Sequence, residues 1–309
     1  MAVFKEFYLP STTGKNNLHV LKCLPENAPR AIVQIAHGVA EHADRYRDFM
    51  AYLADNGIAS IANDHLGHGK SIANADEQGF FAESNGWDHV VSDMKKLKDH
   101  TKPEFPDIPY IFFGHSMGSF LTRTYMIKYP GDYDAAIISG TGHLSPVMIN
   151  GGQAISGIVA RIKGRSYASP LIDNVAFGSY NKSFESPRTK FDWLSRDEEV
   201  VDKYIADPLC GFIASTGLFN DMMQGMKVIT KQENIDKMDK TKPVLFISGD
   251  KDPVGENGKT VEKAYKAFCN AGLKDVYMKL YPGGRHEMLN EINKDEVYAD
   301  VLNWINSKI

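Results

Sequence analysis

Residues 110–120, YIFFGHSMGSF, constrain this chain more than any other stretch. The apolar run Tyr110-Ile111-Phe112-Phe113 needs burial on both faces, as a strand inside a parallel sheet has, and Phe120-Leu121 with Tyr125-Met126 continue at helical spacing. Between them stands Gly114-His115-Ser116-Met117-Gly118. A strand-to-helix turn this sharp leaves no room for a β-carbon at either glycine and lifts the enclosed hydroxyl clear of the sheet. Ser116 is therefore the candidate nucleophile. The plain alternative, a glycine-rich turn with an ordinary serine, is disfavoured by the strand before it and the helix after it.

The same strand-and-helix rhythm runs through most of the chain. Residues 3–9 and 17–24 alternate around the turn-rich STTGKN and predict a hairpin at a sheet edge. Residues 31–36 form a doubly apolar strand that runs into His37-Gly38-Val39-Ala40-Glu41-His42, with a helix over about 44–55 and a strand over 58–62. A helix over 87–100 leads to the Ser116 strand, and 135–140 is the next strand. From about 144 to 240 no strong strand is found, only glycine-rich apolar pieces, Pro turns and amphipathic segments. Strands at 243–248 and 276–280 and helices near 258–270 and 294–307 resume the alternation. The prediction is an α/β fold, a mostly parallel, doubly wound sheet flanked by helices. Its core is 1–143 with 241–309, and 144–240 is an inserted, largely helical cap. Within the cap, Leu218-Phe219, Met222-Met223 and Met226 read as core against the sheet, ahead of a flexible lipid tunnel. The glycines between 151 and 157 would permit movement.

Charge and cysteine usage narrow the partners. A formal charge of -4 supplies no basic field for nucleic acid. Cys23, Cys210 and Cys269 are widely spaced without a CxxC, which argues against a disulfide framework or a cysteine zinc site. Lys5 and Glu6 fall where a signal peptide needs an apolar core, and no long apolar run follows, so a cytoplasmic chain without an integral membrane segment is expected.

A serine hydroxyl needs a base, an orienting carboxylate and donors for the developing oxyanion. In a parallel sheet these gather at the carboxyl ends of strands. Ser116, then Asp250-Lys251-Asp252, then Gly283-Gly284-Arg285-His286 each follow a predicted strand. His286, on a flexible loop, is the candidate base rather than a mere surface histidine. Asp250 and Asp252 compete as the acid, and one of them caps a turn. One oxyanion donor is the Met117 N–H; the other comes from the loop after His37-Gly38. Gly114, Gly118 and His115 support the elbow, and Gly38, Glu41 and His42 the facing loop. His37, Glu41, His42 and Arg45, like Asp64, His65 and His68, read as hydrogen-bonding groups that hold two loops, with no metal and no cofactor expected.

HGVAEHADRY, NDHLGHGKS, GHSMGS, GDKDPV and YPGGRHEMLNE together resemble the α/β-hydrolase-fold family that contains monoacylglycerol lipases and lysophospholipase-like esterases, broadly related to serine aminopeptidases. The resemblance covers most of the core but not the cap. It implies a cofactor-free serine hydrolase of acyl esters such as monoacylglycerols or lysophospholipids, acting through an acyl-enzyme, with a small-molecule or lipid substrate. It favours Asp252 as the acid and Val39 as the second oxyanion donor. Transient membrane-surface contact through the cap is part of the same expectation. The alternatives are an amide hydrolase on the same fold and a ligand-binding relative with little turnover.

Overall fold

The computed structural model describes residues 2–309. β1 (Val3–Pro10) and β2 (Asn17–Leu24) form the expected edge hairpin, paired antiparallel from Val3 opposite Leu24 to Pro10 opposite Asn17. β3 (Ile32–Ala36), α1 (Arg47–Asp55), β4 (Ala59–Asn63), α2 (Gly86–Thr101), β5 (Tyr110–His115), α3 (Met117–Lys128) and β6 (Ala135–Ser139) then alternate. After β6 come only helices: α4 (Pro146–Lys163), α5 (Pro170–Phe177), α6 (Glu198–Ala206), α7 (Thr216–Ile229) and the short α8 (Gln232–Ile235). β7 (Val244–Gly249), α9 (Lys259–Asn270), β8 (Val276–Tyr281) and α10 (Lys294–Asn306) complete the chain.

The eight strands make one sheet in the order β1-β2-β4-β3-β5-β6-β7-β8. β3 through β8 are mutually parallel, and only the β1–β2 and β2–β4 pairings are antiparallel. The period-2 pleat divides β5 between two cores. Tyr110 and Phe112 pack with α2, α3, α7 and α9 through Val90, Leu121, Met226 and Phe268, while Ile111 and Phe113 pack with α1 and α10 through Phe49, Leu53 and Val301. The sheet is thereby covered on both faces, which is why its central strands carry uninterrupted apolar runs. Among the described residues no helix is long and apolar enough to cross a membrane.

Two details depart from the sequence pattern. The helix expected over 44–55 opens as a 3-10 turn, Ala43–Tyr46, before α1. Its entry is fixed by the Ala43 N–H, which donates to Asp64 Oδ1 at 2.8 Å. The glycines read as hinges, Gly151, Gly152 and Gly157, lie inside the single helix α4. A β-carbon at Gly152 would come within 2.9 Å of Met223 Sδ, so this glycine lets α4 approach α7 closely.

Candidate active site

β5 ends at His115 and α3 begins at Met117, so Ser116 alone makes the turn. Its backbone sits at φ 52° and ψ -122°, a region an L-residue occupies only under strain. The glycines behave as the pattern requires. A β-carbon on Gly118 would overlap the Ala36 carbonyl oxygen, and one on Gly114 would strike the Gly118 carbonyl. Close contact of α3 with β3 and β5 thus forces both glycines and pushes Ser116 into a cavity of about 690 Å³.

The loops after β7 and β8 bring the other two groups together. His286 Nδ1 lies 3.0 Å from both carboxylate oxygens of Asp252. Asp252 is fully buried and is further held by Ser248 Oγ, donating at 3.0 Å, and by the Val254 N–H, donating at 2.9 Å. Asp250 instead accepts the Gly283 N–H at 2.8 Å and fixes the turn, so of the two acids Asp252 is the one that faces the histidine. Burial alone would discharge His286, but the Asp252 carboxylate outweighs it and raises the imidazole above its ordinary value. Burial likewise opposes ionisation of Asp252, and the facing imidazole overrides it, so the carboxyl titrates lower than usual. With Nδ1 facing the carboxylate, Nε2 is the nitrogen free to handle a proton.

Ser116 and His286 line the same cavity, but no hydrogen bond joins the Ser116 hydroxyl to His286 in this structure. Val39 and Met117 stand beside them on the cavity wall. Neither backbone N–H donates to a protein acceptor among the described residues, which leaves both available to an oxyanion. Gly38 is held by its own N–H, which donates to Glu41 Oε1 at 2.5 Å, and a β-carbon there would sit 3.1 Å from Ser116 Cβ.

His115 packs beneath the site with its ring centroid 4.7 Å from that of His286 and its Nδ1 3.3 Å from Ser139 Oγ. Burial, reinforced by the neighbouring His286, depresses it to about 4, so it stays neutral near pH 7. His37 Nε2 accepts the His65 N–H at 3.0 Å, and Asp64 takes the N–H groups of Ala43 and Lys70, both at 2.8 Å. Burial keeps His65 and His68 neutral, His68 at about 3. These groups tie the loops after β3 and β4 to each other.

The sequence reading has Glu41 and Arg45 holding the loops, as found, but misses their partner Glu287 and the contacts with the segments around α6. Arg45 donates to Glu41 Oε2 at 2.7 Å and forks onto both oxygens of Glu287, each at 2.6 Å. Glu287 follows His286, so one guanidinium joins the Gly38 loop to the histidine loop. The histidine loop is also zipped to the segment before α6: the His286 N–H donates to Trp193 O at 3.3 Å and the Glu287 N–H to Leu194 O at 2.8 Å. The Trp193 and His286 ring centroids are 5.1 Å apart. Facing them, the Tyr204 hydroxyl and the Gly211 N–H donate to Ala40 O at 2.9 and 3.0 Å. An arginine four residues after a glutamate was the only local signal for any of this.

The rest of the cavity is largely apolar, with Asp173, Asn174 and Lys190 also on its wall. Phe120, Leu144, Ile155, Ile172, Phe177, Phe219, Met222, Met223 and Met226 line it. Phe219, Met222 and Met226 are also buried against the core, so the helical apolar stripe of α7 both packs and lines the cavity.

Residues 27–293 match the protein family described as Serine aminopeptidase, S33. The chain is 31% identical over 301 residues to the monoacylglycerol lipase of Mycolicibacterium smegmatis, covering 92% of this chain and 91% of that one. It is 23% identical over 288 residues to the monoglyceride lipase of Homo sapiens, covering 92% and 85%. Among solved structures, a highly thermostable carboxyl esterase from Bacillus coagulans in complex with glycerol matches with a TM-score of 0.92 at 28% identity, over 99% of both chains. These neighbours share the α/β-hydrolase sheet and its flanking helices.

Proposed function

The chain belongs to the serine aminopeptidase S33 family and is a serine ester hydrolase, and we propose that it cleaves monoacylglycerol-like acyl esters through Ser116, His286 and Asp252. The observation that carries this reading is the strained Ser116 opening, with the Asp252-held His286, on one largely apolar cavity. Ser116 Oγ attacks the ester carbonyl while its proton passes to His286 Nε2. The carbonyl oxygen becomes an oxyanion received by the Val39 and Met117 N–H groups. Collapse breaks the C–O bond and His286 protonates the departing alcohol, leaving an acyl-Ser116. Water, deprotonated by His286, then attacks the acyl carbon and releases the acid.

The apolar wall takes the acyl chain. Each methylene buried there contributes about 0.8 kcal/mol, or roughly fourfold in kcat/KM, until the cavity is filled. A p-nitrophenyl ester series from acetyl to palmitoyl, run beside monoacylglycerols and aminoacyl amides, tests the reading. Rates that climb with chain length and favour glycerol esters support it. Faster cleavage of aminoacyl amides would replace it with the amidase reading, and negligible turnover of everything with tight ligand retention would point to a binding protein.

Residues 144–240 form the cap in this reading, and its outer face meets lipid. α4 exposes Val147, Met148, Ile158 and Ile162, and α5 exposes Leu171 and Val175; Met148 and Val175 also reach the cavity wall. That continuity supports transient docking on a lipid surface with the mouth facing it. A cytoplasmic location rests on Cys23, Cys210 and Cys269 all being free thiols.

A further inference from the structure

We propose that His42, Asp207 and Cys210 form a binding site for a borderline-soft divalent cation, with Zn²⁺ as its natural occupant, at the joint between the Gly38 loop and the cap. The site is independent of the ester-hydrolase reading, since it uses none of the groups assigned to that chemistry's bond making.

His42 Nε2, an Asp207 carboxylate oxygen and Cys210 Sγ all lie within 4.8 Å of one another. They come from two separate parts of the chain, His42 from the loop after β3 and the other two from the turn after α6. That turn holds its donors in place. The Cys210 N–H donates to Asp207 O at 3.0 Å, and the Leu209 N–H donates to Asp207 Oδ1 at 2.8 Å. Oδ2 is left facing His42 Nε2 at 2.8 Å. Bond lengths of about 2.0–2.3 Å to N, O and S place tetrahedral zinc ligands roughly 3.3–3.8 Å apart. The imidazole and carboxylate must therefore separate by about half an ångström, and the thiol close by up to about one.

The donor chemistry is specific. One imidazole, one carboxylate and one thiol suit zinc better than magnesium or calcium, which take oxygen sets. Carboxylate and thiolate together balance a dication. The thiol proton leaves to solvent as the S–metal bond forms, and the imidazole proton sits on Nδ1. Arg45, the nearby cation, is already paired with Glu41 and Glu287. His42 and Cys210 are buried while the Asp207 side chain is 31% exposed, which gives the ion a way in and leaves a fourth position for water.

The position couples the site to turnover. His42 is three residues beyond Val39, and Ala40 between them is hydrogen-bonded by Tyr204 and Gly211 on either side of the Asp207–Cys210 turn. A metal that wedges His42 away from Asp207 moves the loop that carries the Val39 N–H, so occupancy inhibits.

The full-length protein is stripped with chelator and titrated with ZnCl₂ under equilibrium dialysis, and Co²⁺ substitution is followed by absorbance. The expected result is one Zn²⁺ per chain, a thiolate-to-Co²⁺ charge-transfer band, and zinc inhibition reversed by chelator. Cys210→Ser and Asp207→Asn, which keep metal-free turnover, should bind at least about tenfold more weakly and resist inhibition. A missing thiolate band, or Zn²⁺ inhibition of equal potency in both variants, would move the effect to another group such as His286 and overturn the proposal. Co²⁺ binding that keeps its band after Cys210→Ser would overturn it equally.

Discussion

Arg45→Met should be far more damaging than its distance from the reacting atoms suggests. The guanidinium is almost buried and lies against two carboxylates, Glu41 and Glu287, that are 3% and 4% exposed. Its positive charge pulls Glu41 down to about 2 against the opposing effect of burial. Methionine fills a similar volume but leaves two buried acids facing each other without a cation. Removing one member of such a set costs about 3–5 kcal/mol, because the surviving charges cannot be solvated. For a chain of 309 residues the unfolding entropy is about 0.65 kcal/mol per kelvin, so a 4 kcal/mol loss lowers Tm by about 6 °C. The two tethered loops would also loosen, and an ångström of drift at His286 can reduce kcat by about a hundredfold. Thermal melts by circular dichroism and ester turnover below the transition read both effects. Arg45→Met with Glu287→Gln should recover part of the Tm, since one orphaned charge is gone. An unchanged Tm in Arg45→Met, or a double variant less stable than the single one, would refute the reasoning.

Other consequences can be checked in the same preparations. Asp252→Asn removes the charge that holds His286 above its ordinary value, so burial then prevails. Since attack needs neutral His286, the acid limb of kcat/KM should move to lower pH, while kcat falls by about 10⁴-fold; an acid limb that stays put would show that Asp252 does not set this histidine. Glu41 is depressed in the folded state, so its contribution to stability is present above about pH 4.5 and is lost as pH falls toward 2, which urea melts on that ramp should show for the wild type and not for Glu41→Gln. Ile158→Lys with Ile162→Lys alters two exposed positions of α4, 61% and 72% accessible, and should weaken sedimentation with phosphatidylcholine vesicles while leaving short soluble esters turning over normally. Equal vesicle binding would remove α4 from the docking face.

What the sequence made legible follows from what physical chemistry forces locally. β3, β5, β6 and β7 are buried on both faces, so their apolar runs cannot be mistaken for surface segments. The turn at Ser116 needs two glycines for steric reasons that are read directly from residue type. The order of strands was less accessible: β4 lies between β2 and β3, and nothing local encodes that crossover. α4 was read as loose glycine-rich pieces because Gly151, Gly152 and Gly157 each weaken a helix by about 1 kcal/mol, and the close approach of α7 at Gly152 is not visible in the local sequence. The Asp250 and Asp252 ambiguity was geometric, since only the folded chain shows that Asp252 faces His286 while Asp250 accepts the Gly283 N–H. Arg45 meeting Glu287 and His42 meeting Asp207 join residues 242 and 165 positions apart, where no periodicity reaches.

The central claim is that Ser116 is made nucleophilic by His286 and takes up the acyl group. Intact-protein mass spectrometry after treatment with an alkyl fluorophosphonate tests it most directly, followed by peptide mapping. The account predicts one adduct per chain, on Ser116, formed in step with loss of ester hydrolysis, absent from Ser116→Ala and formed far more slowly in His286→Ala. An adduct on another residue, or a Ser116→Ala variant that keeps most of its esterase activity, would contradict it.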